Sequence, residues 1–94
     1  MHVIEDESEV VIVLPAEFTF DSHQSFRSAY MVKSKQLNFV VDFSQVTLVD
    51  SSALGALLIL KEYANSPVTL RGAQGSVSKI LKMAHFDTLF TVEP

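Results

Sequence analysis

The chain has 94 residues, 48% of them hydrophobic, with 11 acidic against 7 basic side chains and a formal net charge of -4. That length suits one domain built on one core, read as a single unit over residues 1–94. The absence of cysteine excludes a disulfide framework and a Cys-based zinc site, and an acidic chain with no basic cluster is not expected to bind nucleic acid directly.

In chain order, Met1–Glu7 has no basic stretch followed by an apolar core, so no secretory signal is expected. Val3-Ile4 and Val10–Leu14 flank an acidic segment, Glu5–Glu9, and read as an antiparallel hairpin closed by Pro15. Asp21 or Ser22 is placed to cap a helix whose Phe26, Ala29, Tyr30 and the stem of Lys33 recur at helical spacing. Leu37–Phe43 is the next strand, nearly continuous in aromatic and β-branched residues, as a strand buried on both faces should be.

A second helix is predicted from Ser51 to about Asn65, ended by Ser66-Pro67, with Val68-Thr69-Leu70 as a short strand. Ser76 is read as the cap of a third helix with Val77, Ile80, Leu81 and Ala84 on one face. Phe86 and Leu89–Val92 close the chain as an edge strand. Strands alternating with amphipathic helices indicate an α/β layer. The longest apolar-rich run, Ala53–Leu60, is far shorter than the roughly 20 residues that span a bilayer, so no membrane insertion is expected.

On the second helix, Ala53, Ala56, Leu57, Leu60 and Ala64 fall on one side and are assigned to the sheet. Lys61, Glu62 and Asn65 mark the wet side, and Leu54 and Leu58 fall with them beside Gly55. Two leucines there form a patch of interaction surface, lie under a loop, or are single exposed residues of the ordinary kind.

Asp50-Ser51-Ser52 stands at the strand-to-helix junction, and Ser51 allows three readings. It can simply cap the helix. It can be a nucleophile served by His23 or His85 with Asp42 or Asp50, but the flanking glycines of a nucleophile elbow are absent. It can be a phosphorylation switch: a phosphate adds nearly two negative charges at a helix end that tolerates anions, sparing the fold while repelling a docked partner. A metal site from His2, His23 and His85 has no support in their spacing.

The segment Val40-Val41-Asp42-Phe43-Ser44 followed by Asp50-Ser51-Ser52-Ala53-Leu54-Gly55 resembles the STAS domain of bacterial anti-sigma-factor antagonists. Phe18–Arg27 resembles that family's approach to its first helix, and Val77–Phe90 its third helix and final strand. The resemblance implies a mixed sheet of four to five strands with three to four helices mainly on one side.

It further implies a non-enzymatic cytoplasmic signalling protein that binds no cofactor itself. Its partners would be an anti-sigma factor with serine-kinase activity and a PP2C-type phosphatase, which carry the ATP and the metal. Ser51 is the implied phosphorylation site, and Asp50, Ser52, Ala53, Leu54, Gly55, Leu58, Thr19 and Asp21 the implied docking residues. Where the family usually has Gly and Asp before its first helix, this chain has Ala16 and Thr19, and Ala53 replaces a glycine. Two other roles are open to a lone domain of this kind: an accessory subunit of a lipid-transport ABC complex, or a scaffold component of a stress-signalling assembly.

Overall fold

The computed structural model describes all residues, 1–94. Strand β1 (His2–Glu5) pairs antiparallel with β2 (Glu9–Val13), as the hairpin pattern predicts. Its acidic turn is self-supporting, because Asp6 Oδ1 accepts the amides of Ser8 and Glu9, each at 2.8 Å. From β2 the chain runs through β3 (Glu17–Phe18), a 3-10 turn (Phe20–Ser22) and α1 (His23–Met31) to β4 (Asn38–Asp42). It continues through β5 (Leu48–Val49), α2 (Ser51–Tyr63), β6 (Thr69–Arg71), α3 (Gly75–Met83) and α4 (Phe86–Leu89) to β7 (Thr91–Glu93).

The main sheet has five strands in the order β1-β2-β4-β6-β7, and every pairing after the hairpin is parallel. The strands advance in one direction across the sheet, so right-handed crossovers lay the helices on one face. The alternation of burial agrees. Val10, Ile12, Phe39, Val41 and Leu70 join a core cluster of 21 residues, whereas Val40, buried on the other face, lies outside it. Phe18, Phe26 and Tyr30 form a chain of edge-on rings within that core, with centroids 5.1 and 5.5 Å apart.

Several local expectations are corrected. Lys33 lies beyond α1 and forms an ion pair with Glu5 at 2.6 Å instead of extending the helix's apolar face. Its carbonyl and that of Met31 both receive the Tyr63 hydroxyl, which ties the end of α1 to the end of α2. Gln74, not Ser76, occupies the cap position of α3. Phe86–Leu89 is a helical turn rather than strand, because Phe86 and Phe90 both turn inward and only the residues after Phe90 reach β6.

A feature with no sequence signal positions the head of α2. β3 and β5 form a separate two-stranded parallel ribbon, Glu17 opposite Leu48 and Phe18 opposite Val49. Phe18 and Val49 are its buried pair. Each strand runs almost directly into a helical segment, β3 into the 3-10 turn and β5 into α2. Parallel pairing therefore brings the starts of the two segments side by side.

Candidate functional site

The candidate site is the N-terminal end of α2, and Asp50 organises its hydrogen bonds. Its backbone is extended (φ -103, ψ 173), as a residue before a first helical turn should be. Oδ1 accepts the amide of Ala53 at 2.9 Å and the hydroxyl of Ser52 at 2.8 Å, while Oδ2 accepts the amide of Phe20 at 3.0 Å. These donors hold the carboxyl below the usual aspartate range: the Ser52 hydroxyl contributes most, then the Ala53 amide, then the Phe20 amide and the nearby His23. One carboxylate thus caps α2 and ties it to the segment opening α1.

The expectation that Ser51 caps the helix is therefore corrected. Asp50 is the cap, and Ser51 is the first helical residue with its side chain exposed. An aspartate accepts two hydrogen bonds per oxygen and suits the positive end of a helix better than a hydroxyl. Ser52 is half-buried, with its hydroxyl committed to Asp50. Its carbonyl lies 2.8 Å from His23 Nε2, and since a carbonyl can only accept, that nitrogen carries the proton.

Of the residues expected as catalytic companions of Ser51, Asp50 and His23 lie at this end of α2 but are engaged with the helix cap and the Ser52 carbonyl. Asp42 Oδ1 accepts the amide of Ser44 at 2.8 Å, and His85 is exposed in a left-handed turn (φ 61) before α4.

Thr19 is half-buried just before the 3-10 turn, its amide donating to Ser22 Oγ at 3.3 Å and its carbonyl accepting the Ser22 amide at 2.9 Å. Asp21 is exposed in that turn. Ser22 precedes α1 but sends its hydroxyl to the Glu17 carbonyl at 3.1 Å, so neither Asp21 nor Ser22 caps α1 through its side chain. Both Thr19 and Asp21 lie on the segment that Asp50 holds, beside the Ser51 end of α2.

Along α2, Ala53, Ala56, Leu57 and Leu60 are buried, as the spacing predicts. Leu58 is 39% exposed. Leu54 is corrected: it is half-buried against the core, on the flank of the buried sector rather than opposite it. The apolar partner of Leu58 at the surface is instead Ile59, 55% exposed on the flank that faces α1. Phe20, 69% exposed with its ring 5.4 Å from that of His23, adds an aromatic beside the Asp50 end. Sequence periodicity had no means of finding Phe20, because its placement depends on the β3–β5 ribbon. A Cβ on Gly55 would meet nothing within 4 Å, so no internal contact requires glycine in that helical turn.

No helix is long and apolar enough to cross a membrane. A family model described as "Mlab, STAS domain" matches residues 1–92. A STAS-domain containing protein of Pseudomonas aeruginosa is 38% identical over 91 residues, covering 93% of this chain and 90% of that protein. Among solved structures, a protein of Thermotoga maritima assigned as an anti-sigma factor antagonist superposes with a TM-score of 0.83 at 14% identity, over 99% of this chain and 85% of the other. A sulfate transporter family protein of Wolinella succinogenes superposes with a TM-score of 0.80 at 15% identity, over 96% and 80%. At those identities the two superpositions speak for the fold. Together with the mixed five-stranded sheet and its helices, the family match and the Pseudomonas relative establish that the chain belongs to the STAS domain family.

Proposed function

We propose that this domain is a protein-binding module of the anti-sigma-factor-antagonist type, switched by phosphorylation of Ser51. The observation that carries the reading is the division of labour at the head of α2. Asp50 does the capping, so the exposed Ser51 hydroxyl is spared from holding the fold. A phosphate there would face solvent at a helix N-terminus, where negative charge is tolerated. A partner covering Ser51 would instead have to bury that charge next to the Asp50 carboxylate. Roughly 4 kcal/mol of such repulsion and desolvation corresponds to a thousandfold loss of affinity.

In this reading the unmodified domain sequesters a cytoplasmic anti-sigma factor with serine-kinase activity, whose own ATP modifies Ser51, and a PP2C-type phosphatase reverses the change. The domain acts by binding and carries out no chemistry of its own. The docking residues are Asp50 at the cap, Ser52, Leu54, Gly55 and Leu58 on α2 and Thr19 and Asp21 on the adjoining segment; Ala53, wholly buried in the core, is removed from the expected set. The fold shared with the Thermotoga protein is consistent with this role.

Gly55 adds support. Glycine inside a helix costs about 1 kcal/mol against alanine, yet no internal contact requires it. A flat spot one turn from Ser51 suits close approach by another chain. The test is calorimetric titration of wild type, Ser51→Ala and Ser51→Asp with the kinase-type anti-sigma factor encoded in the same genome. Binding by the first two and loss by the third is expected. Equal binding by all three would refute the switch.

A second reading, an accessory subunit of a transport complex such as a lipid-transport ABC system, draws on the transporter-family neighbour. It requires stable co-purification with a transport ATPase that Ser51→Asp leaves intact.

A further inference from the structure

Between α1 and α2 runs a groove of about 280 Å³. Its floor is Phe26, Tyr30 and Ala56, all buried, and its rims are Gln24 and Arg27 on α1 and Ile59 on α2. The volume lies just under the roughly 300–1,000 Å³ typical of small-molecule sites, so it suits one or two anchoring side chains rather than a cofactor. His23 closes the end nearest Ser51, and its Nε2 is already bonded to the Ser52 carbonyl.

The charge of the groove is unlike that of the molecule. The chain carries 11 acidic residues against 7 basic ones, yet no carboxylate lines this groove and its one full charge is that of Arg27. Arg27 is exposed and stands outside all three ion pairs of the structure, which are formed by Lys33 and Arg71. An arginine fork above an apolar trough is matched by a segment offering a carboxylate beside an aliphatic side chain. The trough is also continuous with the Ser51 surface, since Ile59 adjoins Leu58 along α2 and His23 joins the groove to Ser52.

We infer that this groove receives an amphipathic helical segment of the protein partner, with an aliphatic side chain seated over Phe26, Tyr30 and Ala56 and an Asp or Glu paired with Arg27. Helix-in-groove docking uses apolar anchors three or four residues apart, and a neighbouring carboxylate on the same face fixes the register. This inference rests on the partner-binding reading above and names the chemistry of the partner.

The test is photo-crosslinking in the native cell from a benzoylphenylalanine placed at position 59, with the captured peptide sequenced by mass spectrometry. The peptide is then synthesised and its affinity measured by fluorescence anisotropy. The expected capture is one segment with apolar residues at helical spacing and an acidic residue among them. Its binding should weaken at least tenfold in Arg27→Glu and recover in part in Arg27→Lys, with unchanged circular dichroism showing that both variants fold. A crosslink to a second copy of this chain, no protein crosslink, or a peptide indifferent to Arg27→Glu would each overturn the inference. Ser51→Asp in the crosslinking background separates the two claims. Capture that survives Ser51→Asp but is lost in Arg27→Glu leaves the groove standing and removes the switch.

Discussion

The carboxylate of Asp50 accepts the amide of Phe20, thirty residues earlier in the chain, at 3.0 Å. Two segments that begin separate helical units are thereby locked at their starts. The β3–β5 ribbon supplies the alignment, and the carboxylate supplies the clasp. The ribbon and the carboxylate together hold the surface that spans both segments.

Replacing Asp50 by alanine removes the cap of α2, the acceptor for the Ser52 hydroxyl and the link to Phe20 together. Urea unfolding should show a lower midpoint for Asp50→Ala than for wild type, with Asp50→Asn between them, since an amide oxygen still caps. Ser51→Ala should match wild type. A Ser51→Ala loss as large as that of Asp50→Ala would restore the serine as the cap.

The same carboxylate sets an acid limit. Its titration is lowered in the folded protein by the Ser52 hydroxyl first and the Ala53 and Phe20 amides next, and that of Asp6 is lowered by the Ser8 and Glu9 amides. A group whose folded pKa lies below its unfolded value stabilises the fold above the unfolded value, about 3.9 for aspartate. That contribution disappears as pH falls through the folded value. These two carboxylates should therefore add no pH dependence to thermal unfolding near neutrality, where their contribution is fully present, and a decline below about pH 4. In Asp50→Asn the decline should be shallower, because one of the two titrating groups is gone.

Much of this was legible in the residues, for local reasons. The hairpin, the strands at β4 and β6 and the buried stripe of α2 each follow from hydrophobic period and turn chemistry. What escaped depends on partners distant in sequence. Two-residue strands such as Glu17-Phe18 and Leu48-Val49 have no period of their own, and only their pairing creates them. Asp50 and Ser51 are both good capping residues, and which one takes the cap is decided by backbone dihedrals and the remote Phe20 amide. Leu54 and Ile59 sit on opposite flanks of the buried sector. Whether a flank is covered depends on the neighbouring element, which an isolated helical wheel does not contain.

Leu57 and Leu58 give the sharpest test of the phase of α2. Leu57 is wholly buried, so Leu57→Ala should cost about 2–5 kcal/mol from lost transfer energy and the cavity left behind. Leu58→Asp should change stability by no more than about 0.5 kcal/mol, as surface substitutions do, while weakening partner binding. Leu54→Asp, made against the core, should destabilise clearly. Denaturant titration of the three variants reads the order directly, and strong destabilisation by Leu58→Asp would mean that the helix is rotated.

Gly55 separates stability from binding in one substitution. In Gly55→Ala the added methyl meets no protein atom within 4 Å, and the helix gains the roughly 0.8–1 kcal/mol by which alanine exceeds glycine in a helix interior. The unfolding midpoint should therefore rise. If a partner lies close against that turn of α2, the same methyl stands in the contact, and its displacement should weaken the complex about tenfold, equivalent to about 1.4 kcal/mol. A variant more stable yet binding less well is the signature of a glycine kept for another chain's approach. Gly55→Ala with unchanged affinity would move the docking surface off this face and leave the groove beside α1 as its centre.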